Sequence, residues 1–258
     1  MSSSVGIPSH NYHRNVRFTG RPITAKEKDE LTEAAKNHQL VITDVDTQNS
    51  FMGRPTDPQH VRGAYKIKEN LSKLTDAGDE YNVPTVVTMD TYGKGTFKFE
   101  KIPETISKRP SRVVCADQNV KDAPSLNQIK EFVSNGGDVL AIEKNNWGFA
   151  THRYPDGVLR ESFEGVPVKG KAITDMLHEA GVKTAAVYGV VTDMCVEQAV
   201  KAFQKAGIKP IVVEDAVKHV KKDVLKAPDN EVFRDVPYLS TEEFINTLKG
   251  GLQKVGHA

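Results

Sequence analysis

The chain has 258 residues, is 38% hydrophobic and sets 35 Lys and Arg against 34 Asp and Glu, a formal net charge of +1. That length supports one full core, and the balanced charge gives no basic surplus for nucleic acid. No apolar run reaches membrane-spanning length, the opening "MSSSVGIPSHNYHRN" lacks a secretory pattern, and two cysteines, Cys115 and Cys195, are too few for a disulfide framework. The expectation is a cytoplasmic protein with free thiols and neither a membrane nor a nucleic-acid partner.

In chain order, residues 1–37 are polar, carry Pro8 and Pro22 and show little periodicity, so they read as an N-terminal arm ahead of a domain over 38–258. "QLVITDVD", ending at Asp46, reads as a first strand. Val61, Ala64, Ile67, Leu71 and Leu74 recur at helical spacing behind it. "VPTVVTMD", ending at Asp90, and "DVLAIEK", ending at Lys144, are the second and third strands; between them "RVVC" reads as a short strand and "LNQIKEFVSNGG" as a helix. Ile173, Met176, Leu177 and Ala180 mark one face of a helix that stops at Gly181. "KTAAVYG" is a fourth strand, followed by a helix with the stripe Val196, Ala199, Val200, Phe203 and Ala206. "KPIVVEDA" is a fifth, and Ser240 with Glu243 opens a last helix as a capping pair.

Strands alternating with helices predict an α/β fold: a doubly wound, mostly parallel sheet of about six strands with helices on both faces, Rossmann-like. The strands are short, apolar and β-branched, as both-face burial requires. Ligands of such sheets sit beyond the carboxyl ends of the strands, so the polar residues there rank first. The ends supply Asp46, Asp90 and Lys144, and the fourth strand runs through Gly189 to Cys195.

Each has an ordinary reading beside a chemical one. With Thr192 as N-cap, Cys195 falls in the first helical turn, where free amides and the helix dipole favour a thiolate and receive an oxyanion; free cysteines also simply pack. Asp46 serves equally as a cap, and Asp44 two residues earlier lies deeper in the strand. Lys144 serves as a solvated cation. Taken together they form a nucleophilic set, with the aspartate accepting the thiol proton, the cysteine attacking a carbonyl and the lysine balancing charge.

"VITDVDTQNSF", "AIEKNNWGF" and above all "GVVTDMCVEQAV" resemble the aspartate, lysine and cysteine motifs of the isochorismatase-like cysteine hydrolases, the superfamily that includes nicotinamidases and N-carbamoyl amidohydrolases. The resemblance runs from about Leu40 to Ala216. It implies Asp46 as general base, Lys144 as charge-stabilising partner and Cys195 as nucleophile. It also implies a cis peptide between Val190 and Val191, with the backbone N–H groups of Val191 and Cys195 as oxyanion donors, and assembly into homo-oligomers. The activity implied is hydrolysis of a small amide or carbamoyl C–N bond through a thioester. The alternatives are isochorismatase-type vinyl ether hydrolysis, nicotinamide hydrolysis, or a relative that binds a small molecule or partner without turnover.

Departures from the motifs bear on the substrate. Tyr92 stands where the metal-binding relatives place a histidine, and no histidine follows it in "MDTYGKGTFKF", so neither a metal nor another cofactor is expected. Asp90 then reads as a pocket acid or a cap. Ser50 replaces an acid of the first motif, and Trp147 and Gly148 replace a frequent tyrosine and serine. Phe51, Tyr92, Trp147 and Phe149 read either as an apolar wall for a flat small molecule or as core. Arg54 is a candidate carboxylate binder and Cys115 a packed thiol.

Overall fold

A computed structural model describes residues 20–53, 60–90, 114–116, 125–136, 139–144, 151–153, 159–161, 173–219 and 232–253. The strands, in chain order, are β1 (Arg21–Pro22), β2 (Leu40–Val45), β3 (Thr85–Asp90), β4 (Val114–Ala116), β5 (Val139–Lys144), β6 (Thr151–Arg153), β7 (Leu159–Glu161), β8 (Thr184–Val190), β9 (Lys209–Lys218) and β10 (Pro237–Leu239). The helices are α1 (Ala25–Lys36), α2 (Asn49–Met52), α3 (Lys68–Glu80), α4 (Leu126–Asn135), α5 (Ile173–Glu179), α6 (Glu197–Lys205) and α7 (Thr241–Gly251).

Among the described residues eight strands form one sheet in the order β1-β10-β9-β8-β2-β3-β5-β4, and every pairing in it is parallel. β6 and β7 form a separate antiparallel pair. The sheet exceeds the expected six strands because two short segments, β1 and β10, extend one side; the other edge is β4, the strand expected at "RVVC". Parallel strands buried on both faces need apolar side chains in both directions, and β2 and β8 are buried at every position.

The two faces are separate cores. Leu31 of α1, Leu71 and Leu74 of α3, and Phe244 and Leu248 of α7 pack with Leu40, Ile42, Ala186 and Tyr188 on one face. Ile129 and Phe132 of α4, Ile173 and Leu177 of α5, and Ala199 and Phe203 of α6 pack with Val41, Val45, Val86, Leu140 and Val187 on the other. Helices on both faces of a parallel sheet make the fold doubly wound.

Residues 20–37 differ from the expected arm. Thr24 and Glu27 form a reciprocal capping box that starts α1. Leu31, Ala34 and Ala35 then enter the first core. Glu27, 7% exposed, accepts both Arg21 guanidinium nitrogens at 2.6 and 2.7 Å and lies 2.9 Å from Lys209. The Arg21 hydrogen bonds hold its carboxyl far below the usual carboxylate range, against the opposing effect of burial and with further help from Lys209 and Thr24. This node ties β1, α1 and β9 together. Residues 1–19 lie outside the described residues. Among the described residues no helix is long and apolar enough to cross a membrane.

Candidate active site at the sheet's switch point

From β2 the sheet proceeds through β3 and β5 on one side, whereas β8, β9 and β10 lie on the other. The carboxyl ends of the neighbours β2 and β8 therefore flank the point where strand order reverses, the place where such sheets open a crevice. Asp46 follows β2 there, and Cys195 follows β8.

The two ends are held close. Val45 is in register with Gly189, whose φ is +117°. A Cβ at Gly189 would lie within contact distance of the Val45 carbonyl oxygen and amide nitrogen, so only glycine permits this approach. The Val190–Val191 peptide is cis, as the motif resemblance implies.

After it, Thr192–Val196 forms a single π-helical turn before α6, with Val191 as its N-cap. The Val191 carbonyl accepts from the Met194 and Val196 amides at 3.0 and 3.1 Å. Thr192 is thus not the cap; it is the first residue of the turn, fully buried, and its Oγ1 has no hydrogen-bond partner among the described residues. The wider turn carries Cys195 two residues ahead of α6. Cys195 is 5% exposed and packs with the second core, beside Val196 and Ala199.

Asp46 is fully buried, with φ +54°. Alternation along β2 would send its side chain to the face of Leu40 and Ile42. Instead its carboxylate Oδ1 accepts a hydrogen bond of 2.7 Å from the Thr88 hydroxyl. Thr88 aligns with Ile142 across β3 and β5, and Val86 and Ile142 belong to the second core, the one that holds Cys195. The left-handed backbone, which Asp tolerates better than most residues, thus brings the carboxylate toward the cysteine's face. The Asp46 amide donates to the Thr88 carbonyl at 3.1 Å, so one residue of β3 holds both its backbone and its side chain.

Lys144 ends β5, and its register partner is Asp90 at the end of β3. Both stand at the same rim as Asp46, with Lys144 two strands from it, about 10 Å between strand axes. Lys144 and Asp90 are placed by register; their side chains, with that of Cys115, lie outside the described ones. Phe51 sits in the first core, 7% exposed, among Met52, Val61 and Ala64, which answers its ordinary packing reading. Arg54, Tyr92, Trp147 and Phe149 lie outside the described residues.

Sequence reasoning passed over two rim residues. Thr88 carried no motif signal, although its place two residues before Asp90 put it one register step from Asp46. His219 follows β9, whose Lys218 aligns with Val190. Burial and Lys218 hold His219 below the ordinary imidazole range, against the pull of Asp193 in the π-turn.

An open, all-parallel sheet with helices on both faces defines a Rossmann-like α/β fold. Residues 38–227 match the isochorismatase domain, and the chain belongs to that family of hydrolases. No curated protein matches the sequence. Among solved structures it resembles a pyrazinamidase of Pyrococcus horikoshii in complex with zinc, at 20% identity over 78% of this chain and 99% of that one, TM-score 0.50. An isochorismatase-like hydrolase from Alkaliphilus metalliredigens is similar at 16% identity over 81% and 96%, TM-score 0.53. A cysteine hydrolase from Pseudomonas syringae pv. phaseolicola is similar at 16% over 83% and 94%, TM-score 0.53. At such identities the likeness is one of fold.

Proposed function

We propose that the protein hydrolyses the C–N bond of a small amide or carbamoyl compound through a thioester on Cys195, without a metal. The observation that supports this reading is that Asp46 directly follows β2 while the turn carrying Cys195 follows β8, its neighbour in the sheet. Asp46 accepts the thiol proton, and the thiolate attacks the carbonyl carbon. The oxyanion is received by the backbone N–H groups of Val191 and Cys195. Collapse expels ammonia or an amine, which takes the proton back from Asp46. Asp46 then deprotonates a water, which attacks the thioester; the acid departs and the cysteine regains its proton. Lys144 balances the negative charge of the set.

The stretch that follows β3 holds no Asp-x-His pair of the kind a zinc site would use, since Tyr92 stands two residues after Asp90. The stretch from Asp90 to Lys101 has no histidine, and among the described residues no cluster of three His, Cys, Asp or Glu is formed. No step is therefore routed through a metal. The family match itself favours one other reaction, vinyl ether hydrolysis, in which the cysteine need not form an adduct.

The test is ammonia release from a panel of small carboxamides and ureido compounds, with and without chelator, by wild type and Cys195→Ala. Turnover that survives chelator and vanishes in the variant is expected. Turnover lost with chelator overturns metal independence, and ether cleavage retained by Cys195→Ala with no amide turnover in wild type favours the other reaction.

A further inference from the structure

We propose that Thr88 is a positioning residue for the Asp46 carboxylate, fixing its rotation so that its second oxygen serves Cys195; this rests on the hydrolase reading above. The hydroxyl lies 2.7 Å from Asp46 Oδ1, and both residues are fully buried. A hydroxyl donor binds a charged carboxylate more strongly than a neutral carboxyl, so losing it should matter most where the base is at work. Engaging Oδ1 also fixes the carboxylate's rotation, and with it the direction of Oδ2, the oxygen that would exchange the proton with sulfur.

The donor is itself rigid. Threonine is stiff at χ1. The Thr88 carbonyl is held by the Asp46 amide at 3.1 Å, and the strand is locked to both neighbours, with Thr88 facing Val45 on one side and Ile142 on the other. Asp46 needs such an anchor because its backbone has left the strand conformation at φ +54° and no longer takes its direction from the pleat.

Thr88→Val keeps the shape and removes the donor; Thr88→Ser keeps the donor. The acidic limb of the kcat/KM profile reports ionisation of the base. In Thr88→Val the limb is expected to be displaced and kcat to fall about tenfold, the size set by losing a hydrogen bond to a charged group, with KM little changed. Thr88→Ser restores the wild-type limb. A merely structural role would lower thermal stability without moving the limb, and an unmoved limb in a folded Thr88→Val overturns the inference. Thr88→Ala carries the same test should the valine variant fail to fold. Should no amide be hydrolysed by wild type, the proposed function fails separately. The pH dependence of Cys195 labelling by iodoacetamide then reads the same coupling, and coincident wild-type and Thr88→Val profiles refute it.

Discussion

Gly189→Ala tests whether the site depends on the close approach of β8 to β2. Two costs add at this position. Left-handed backbone costs an alanine about 1–2 kcal/mol. Gly181, at φ +98° with nothing within 4 Å of a built Cβ, pays that cost alone. At Gly189 the new methyl also meets the Val45 carbonyl oxygen, amide nitrogen and carbonyl carbon. These are backbone atoms of a strand paired on both sides and cannot swing away as a side-chain tip would. Overpacking of that kind adds about 1–3 kcal/mol. Gly189→Ala is therefore expected to lose about 4 kcal/mol and Gly181→Ala about 1.5 kcal/mol. For a domain of this size the drops in Tm are about 10 °C and about 4 °C. Differential scanning calorimetry or urea unfolding of both variants against wild type measures the difference. The damage in Gly189→Ala falls beside Asp46, so Cys195 labelling should slow in that variant and not in Gly181→Ala. Equal stabilities for the two variants would refute the argument that the strand approach, rather than the dihedral angle alone, demands glycine.

Glu27→Gln should lower stability at neutral pH by about 1–2 kcal/mol, discounted because its main partner Arg21 is half exposed. Because Glu27's folded carboxyl titrates below its unfolded value, its contribution is fully present above the unfolded value and is lost as pH falls through the acid range. Wild-type and Glu27→Gln urea midpoints should therefore draw together progressively as pH falls below about 5; a gap that widens toward acid would contradict the pairing. Phe203→Ala, which empties a fully buried site in the second core, should cost about 3–5 kcal/mol in urea unfolding. Asp46→Asn, shape-preserving but unable to accept the thiol proton, should reduce amide turnover by about 10²–10⁴-fold while leaving the Tm within a few degrees.

The strand ends were legible because buried parallel strands are written as runs of apolar, β-branched residues with abrupt stops. Asp46, Asp90, Lys144 and the Gly189–Cys195 segment all stand where those runs end. Helix α1 was legible in principle. "TAKE" from Thr24 to Glu27 is a capping box of the same kind as Ser240 with Glu243, and "SLNQ" from Ser125 to Gln128 is a third. The polar surroundings of Leu31, Ala34 and Ala35 hid α1's narrow apolar stripe. The edge at β1 and β10 was not legible, since two or three residues such as Arg21–Pro22 carry no periodicity, whereas the opposite edge, β4, was read from "RVVC".

The site resisted reading for a different reason. Side-chain direction at Asp46 follows from a dihedral angle, not from alternation, and its hydrogen bond to Thr88 joins residues 42 positions apart. The π-turn at Thr192–Val196 differs from an α-helical start by one residue of hydrogen-bond span, a distinction that "TDMCV" does not announce.

Intact-protein mass spectrometry after rapid acid quench of protein mixed with a hydrolysed carboxamide tests the central claim most directly. An added mass equal to the acyl or carbamoyl fragment, mapped by peptide digestion to Cys195 and absent from Cys195→Ala, is the predicted result. Undiminished turnover by Cys195→Ala, with no adduct on the wild-type thiol, would contradict it.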